Sequence, residues 1–218
     1  MTTLTTTVSG PHTGQPVFLA GTPLDQARAA MLLLHGRGAP AQDILGLATE
    51  FDAAGFVFIA PQAAGLTWYP HNFLDPIASN EPWLSSALAV IDEMLTYLEK
   101  AGIALERTML LGFSQGACLS LEYVARHAQR YGGGAGLSGG LIGPDETPRE
   151  ARGSLAGTPV FLGCSDVDFY IPKERVQFSA QVLQKLGGEV TTRLYPRMGH
   201  TVNQDEISFV NSMMNAVR

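Results

Sequence analysis

A single α/β domain built on a mainly parallel sheet, with helices on both faces, is the fold this sequence predicts. Three observations carry it. Short continuous apolar runs alternate with segments of helical period along most of the chain. The 218 residues suit one domain spanning residues 1–218. No linker or internal repeat divides that length. Such a sheet is buried on both faces and joined by right-handed crossovers.

The first apolar run, Ala29–Leu34, reads as a strand buried on both faces. A helical pattern follows over 41–54, with Ile44, Ala48 and Phe51 on one side. Phe56–Ala60 is a second strand, stopped by Pro61. The stretch 62–81 is long and irregular, which in a compact domain points to function or mobility. Pro82 opens the clearest helix, in which Leu84, Leu88, Ile91, Leu95 and Leu98 recur at spacings of four and three. Gly102 ends it. Thr108–Phe113 is the third strand, and 115–131 a helix with Cys118, Leu121, Val124 and Ala125 inward. A weaker strand at 135–138 leads into a loop over 139–158. Pro159–Gly163 is a strand and 172–186 a helix. Val190–Tyr195 breaks strict alternation and reads as an edge strand. Asn203–Val217 is the closing helix.

Composition excludes several classes of function. The net charge is −6, with 14 Lys and Arg against 20 Asp and Glu, and no basic cluster. That argues against nucleic acid and against an anionic membrane surface as partners. No apolar run reaches the length of a membrane span. Residues 1–10 are threonine-rich, with neither the basic nor the apolar part of an export signal, so a cytoplasmic location is expected. Two cysteines, Cys118 and Cys164, are too few for a disulfide framework and read as small buried hydrophobes.

In a parallel sheet of this kind ligands bind beyond the carboxyl ends of the strands. There the chain carries Gly112-Phe113-Ser114-Gln115-Gly116, a G-x-S-x-G pattern. A chain with 24 glycines also produces the pattern a second time, at Gly136–Gly140 around Ser138. Context separates the two. Ser114 follows a strong strand and precedes a long helix, as a nucleophile on a sharp strand-to-helix turn must. Ser138 precedes a loop and reads as a turn residue. A serine needs a base. Of the two histidines downstream, His127 lies mid-helix, about 20 Å away along the axis. His200 lies just past the last strand and is the candidate base. The acid belongs between them in chain order. Asp166 and Asp168 both follow a strand end, and spacing leaves both open, with a lean to Asp168. An oxyanion hole needs two backbone N–H groups. Gln115 and Arg37, the latter in the loop His35-Gly36-Arg37-Gly38, are the candidates. His35 reads as a brace for that loop. The Arg37 side chain reads as solvated or as a contact for a substrate anion. Trp68, Tyr69 and Phe73 either wall a substrate pocket or pack their own loop down.

These residues resemble the phospholipase/carboxylesterase family of α/β-hydrolases, which includes acyl-protein thioesterases and small bacterial esterases. The resemblance is carried by Leu34–Gly38, Ala60-Pro61, Gly112–Ala117, Ser138–Gly140, Asp168–Pro172 and Gly199-His200, in order over most of the chain. Thr67–Pro70 and Arg37 are closest to the bacterial branch. The resemblance implies Asp168 as the acid. It also implies an esterase without metal or organic cofactor, a small-molecule ester as substrate and, as in many members, a homodimer as an accessible state. Two departures fall in the acid loop: Cys164-Ser165 in place of a frequent His-Gly pair, and Phe169 in place of a frequent proline. A thioesterase or lysophospholipase would share the same machinery, and a hydrolase-fold binding protein would lack an intact triad. At this length no separate lid domain fits, so access falls to the 62–81 loop and its neighbours.

Overall fold

A computed structural model describes residues 3–52, 54–145, 147–149 and 152–217. Its eight-stranded sheet is built from β1 (Thr3–Thr5), β2 (Pro16–Gly21), β3 (Ala29–Leu34), β4 (Phe56–Pro61), β5 (Thr108–Phe113), β6 (Gly133–Leu137), β7 (Pro159–Ser165) and β8 (Glu189–Tyr195). The spatial order is β1-β2-β4-β3-β5-β6-β7-β8. The six strands from β4 to β8 are parallel, while β1 and β2 are antiparallel additions at one edge.

Strand period sorts the core into two layers. On β3, Ala30, Leu32 and Leu34 face α2 (Trp83–Lys100), α3 (Gln115–Arg126) and α4 (Lys173–Lys185). Ala29, Met31 and Leu33 face α1 (Ala41–Leu47) and α5 (Gln204–Ala216). Helices on both faces make every β3 residue fully buried, which is why that strand is a continuous apolar run and not an alternating one.

Element limits moved where tertiary partners won over local period. The first helix gives way after Leu47 to a 3₁₀ turn, Ala48–Glu50, because Phe51 leaves the helix line to stack on Phe58 at 6.4 Å. Of the remaining residues expected in that helix, Ala53 lies outside the described ones. The helix expected to run to 131 stops at Arg126. There Tyr131 gives its N–H to Thr158 Oγ1 (3.0 Å) and its hydroxyl to His127 O (2.7 Å), so it is buried without being helical. Strand β6 starts two residues earlier than expected, at Gly133 and Gly134, which sit in register with Met109 and Leu110. Strand β8 is the edge strand expected. Strands β1 and β2 were not anticipated. Among the described residues no helix is long and apolar enough to cross a membrane.

Candidate active site

Ser114 stands between β5 and the first turn of α3, at φ 55° and ψ −120°. A non-glycine residue there is strained by about 1–3 kcal/mol and persists only where its surroundings over-determine it. Its N–H donates to Leu137 O on β6 (2.9 Å), and its carbonyl accepts from Cys118 N–H (3.0 Å). The flanking glycines are a matter of contact. A Cβ on Gly112 would lie 2.1 Å from Gly116 O, and one on Gly116 would lie 2.1 Å from Leu34 O. The G-x-S-x-G spacing is thus the close packing of β5, α3 and β3.

His200 follows β8 and meets both predicted partners. Its Nδ1 lies 2.8 Å from Asp168 Oδ2 and its Nε2 lies 2.9 Å from Ser114 Oγ. An ionised carboxylate only accepts, so the proton sits on Nδ1 and Nε2 is left to accept from the serine hydroxyl. The Asp168 side chain is fully buried, and that of His200 is 19% exposed. Burial pushes the Asp168 carboxyl up, but the hydrogen bond from His200 and the N–H groups of Tyr170 and Ile171 outweigh it and hold the group below the ordinary aspartate value. The imidazole lies between two rings, Phe113 at 5.0 Å and Tyr170 edge-on at 5.0 Å. Asp166 is occupied elsewhere, accepting from Arg197 N–H at 2.8 Å.

The second candidate serine and histidine go elsewhere. Ser138 is buried at a turn with φ 53°, and residues 139–145 directly after it form no helix. His127 stacks on Tyr123 at the outer end of α3. His35 is buried and bridges its own loop to the next strand's end: Nδ1–H donates to Gly36 O (2.8 Å), and Nε2 accepts from Ala63 N–H (3.0 Å). Burial lowers its pKa, consistent with a neutral ring in that brace. Both thiols are buried, and burial pushes each up to about 12, so neither is a ready nucleophile.

Arg37 sits beside Ser114, and among the described residues neither its backbone N–H nor that of Gln115 has an acceptor. Its side chain is exposed but tethered. The guanidinium donates to Pro70 O (2.7 Å), Tyr69 O (2.9 Å) and His71 O (2.7 Å). The Gln115 amide holds the same loop, accepting from Trp68 N–H (2.9 Å) and donating to Tyr69 O (2.8 Å). Neither clamp was foreseen. The only trace in the sequence is that a long loop in a small domain must satisfy its carbonyls somewhere.

A cavity of about 460 Å³ opens at Ser114 and His200. Of the three aromatic residues of the 62–81 loop singled out, Tyr69 and Phe73 line it; Trp68 does not. Trp68 is fully buried, its indole N–H donating to His35 O (2.9 Å), which makes it an anchor of the loop and not a wall of the pocket. Asn72, Cys118, Phe169, Tyr170 and Ile171 also line the cavity and were not singled out as lining. Among the described residues no group of three or more His, Cys, Asp or Glu side chains is placed to hold a metal ion.

Fold and site together define an α/β-hydrolase. The chain belongs to the phospholipase/carboxylesterase family, whose model matches residues 20–218. It is similar to the crystal structure of a phospholipase/carboxylesterase from Dyadobacter fermentans, with 38% identity, a TM-score of 0.89 and coverage of 93% of this chain and 97% of that one. A probable carboxylesterase of Oryza sativa is 29% identical over 93% of this chain and 84% of its own length. Acyl-protein thioesterase 1 of Gibberella zeae is 34% identical, but that match spans 52% of this chain and only 49% of the thioesterase. By family, the chain is a hydrolase of the carboxylesterase type.

Proposed function

We propose that this protein is a serine carboxylesterase that hydrolyses small or short-chain carboxylic esters through an acyl-enzyme. The observation that carries the reading is the unbroken chain from Ser114 Oγ through His200 to Asp168, at 2.9 and 2.8 Å, on the wall of a cavity. Ser114 attacks the ester carbonyl while Nε2 of His200 takes its proton. Asp168, buried and ionised, stabilises the imidazolium that forms. The N–H groups of Arg37 and Gln115 receive the oxyanion, and Gln115 does so at the N-terminus of α3, where the helix field favours negative charge. The ester C–O bond then breaks, and the departing alkoxide takes the proton from His200. Water, deprotonated by the same imidazole, cleaves the Ser114 ester and releases the acid.

Replacing Ser114 by alanine tests this. The variant is expected to lose at least about 10⁴-fold in kcat on short-chain p-nitrophenyl esters. A fluorophosphonate mass adduct should appear on Ser114 of the unaltered protein and be absent from the variant. Full activity without Ser114 would overturn the assignment. A thioester reading draws on the relative named acyl-protein thioesterase. Matched oxyester and thioester pairs of one acyl group decide it through kcat/KM.

A further inference from the structure

The acid loop carries a feature that the triad chemistry leaves unused. Phe169 is 96% exposed and Tyr170 is 66% exposed, yet both line the cavity at Ser114. The fold gains almost nothing from burying Phe169, whose ring lies edge-on to that of Tyr170 at 6.4 Å. We infer that Phe169 and Tyr170 form a subsite for the alcohol part of the ester, and that it takes uncharged, flat, apolar alcohols of the arylmethanol kind. This rests on the serine-esterase reading above.

Three arguments assign the side and the chemistry. The leaving oxygen is the atom of the ester bond that must approach His200 Nε2 to be protonated, and the Tyr170 ring stands against that imidazole at 5.0 Å. The alcohol therefore departs on the side that Tyr170 lines, with Phe169 next to it on the same wall. Asp168 Oδ1 also accepts the N–H groups of Tyr170 (2.8 Å) and Ile171 (3.1 Å). The backbone bearing the rings is thus fixed to the same carboxylate that orients the histidine. Chemistry supplies the third argument. The three acid-loop residues that line the cavity, Phe169, Tyr170 and Ile171, carry no charge, and Arg37, the one permanent cation among the described lining residues, directs three of its five N–H donors at loop carbonyls. A charged alcohol would find no charged group on this loop's wall, whereas an aromatic one would find two exposed ring faces and edges.

The test uses the whole protein and a panel with one acyl group and a varied alcohol: ethyl, cyclohexylmethyl and benzyl acetates. Comparing variant with parent cancels the intrinsic reactivity of each ester. Phe169→Ala is expected to lower kcat/KM for benzyl acetate about three- to tenfold more than for ethyl acetate. Phe169→Leu should fall between parent and alanine, with benzyl losing its advantage over cyclohexylmethyl. Across ethyl esters of rising acyl length, the variant-to-parent ratio should stay level. An equal loss for every alcohol, or a loss that tracks acyl length, would overturn the subsite. So would weaker binding to vesicles of phosphatidylcholine and phosphatidylglycerol with the benzyl-to-ethyl ratio unmoved, which would make the rings a lipid contact. Ser114→Ala is run beside them. If that variant stays active, the serine reading fails; if it is inactive and the ratio does not move, the subsite alone fails.

Discussion

In the proposed mechanism single residues divide into those that face the ester and those that hold them in place, and Arg37 does both through different atoms. There its backbone N–H receives the oxyanion, while its side chain ties down Pro70, Tyr69 and His71 through their carbonyls. Arg37→Met keeps the apolar stem and the backbone donor and removes those three bonds. Its kcat/KM should drop about tenfold on neutral esters, mainly through KM, as the Tyr69 wall loosens. A loss confined to esters bearing a carboxylate would mean that the guanidinium meets substrate instead. Which residues were legible follows the same division. Ser114 and His200 could be read from sequence because strand-end position and glycine contact leave few alternatives. Asp166 and Asp168 could not be separated by spacing, since both follow β7. What separates them is that Asp168 satisfies its own loop with Oδ1 and presents Oδ2 to His200, whereas Asp166 is taken by Arg197. Trp68 stays open between wall and anchor in the sequence because its fate hangs on one long-range partner, His35 O, that no local pattern encodes.

Among the elements, α5 begins just past the loop that carries His200. Asn203 caps it and Glu206 completes a capping box, accepting Asn203 N–H at 2.9 Å. The Glu206 side chain is nevertheless sealed from solvent. Among the described residues its Oε1 has no partner, and it fills the place where a Cβ on Gly163 would come within 2.2 Å. Burial lifts this carboxyl to about 7 from an ordinary 4.5, opposed only in part by the Asn203 N–H. Between those two values the folded protein holds a proton that the unfolded chain has released. Its stability contribution therefore falls as pH rises through that window. Glu206→Gln removes the ionisation at constant shape. The variant should match the parent near pH 4.5 and exceed it by about 1–3 kcal/mol at pH 8 in chemical denaturation. A difference independent of pH would contradict this. The 62–81 loop shows the opposite lesson. Its length suggested mobility, but two clamps from below and Asn80 Oδ1 on His71 N–H hold it in place.

For the molecule as a whole, the parallel sheet and its five helices were legible because every one of them has a period that burial on known faces imposes. The two N-terminal strands were not. Of β2 only Val17 is fully buried, so its alternation is faint, although Val17, Phe18 and Leu19 lie between turn-forming Gly14 and Gly21. Yet the hairpin they make delivers His12 to the site loop. This buried imidazole accepts Ala64 N–H on Nδ1 (3.1 Å) and donates from Nε2 to Trp68 O (3.0 Å). The match to the family model begins at residue 20, beyond that histidine. The boundary that kinship draws is therefore not the one that the working parts obey. A version trimmed to residues 16–218 would keep all three members of the triad and still be damaged. It should retain fluorophosphonate labelling of Ser114, lose several degrees of Tm, and show a raised KM. A trimmed protein with unaltered KM would mean that the hairpin is ornament, and the expectation is that it is a hand holding the door frame from outside the room.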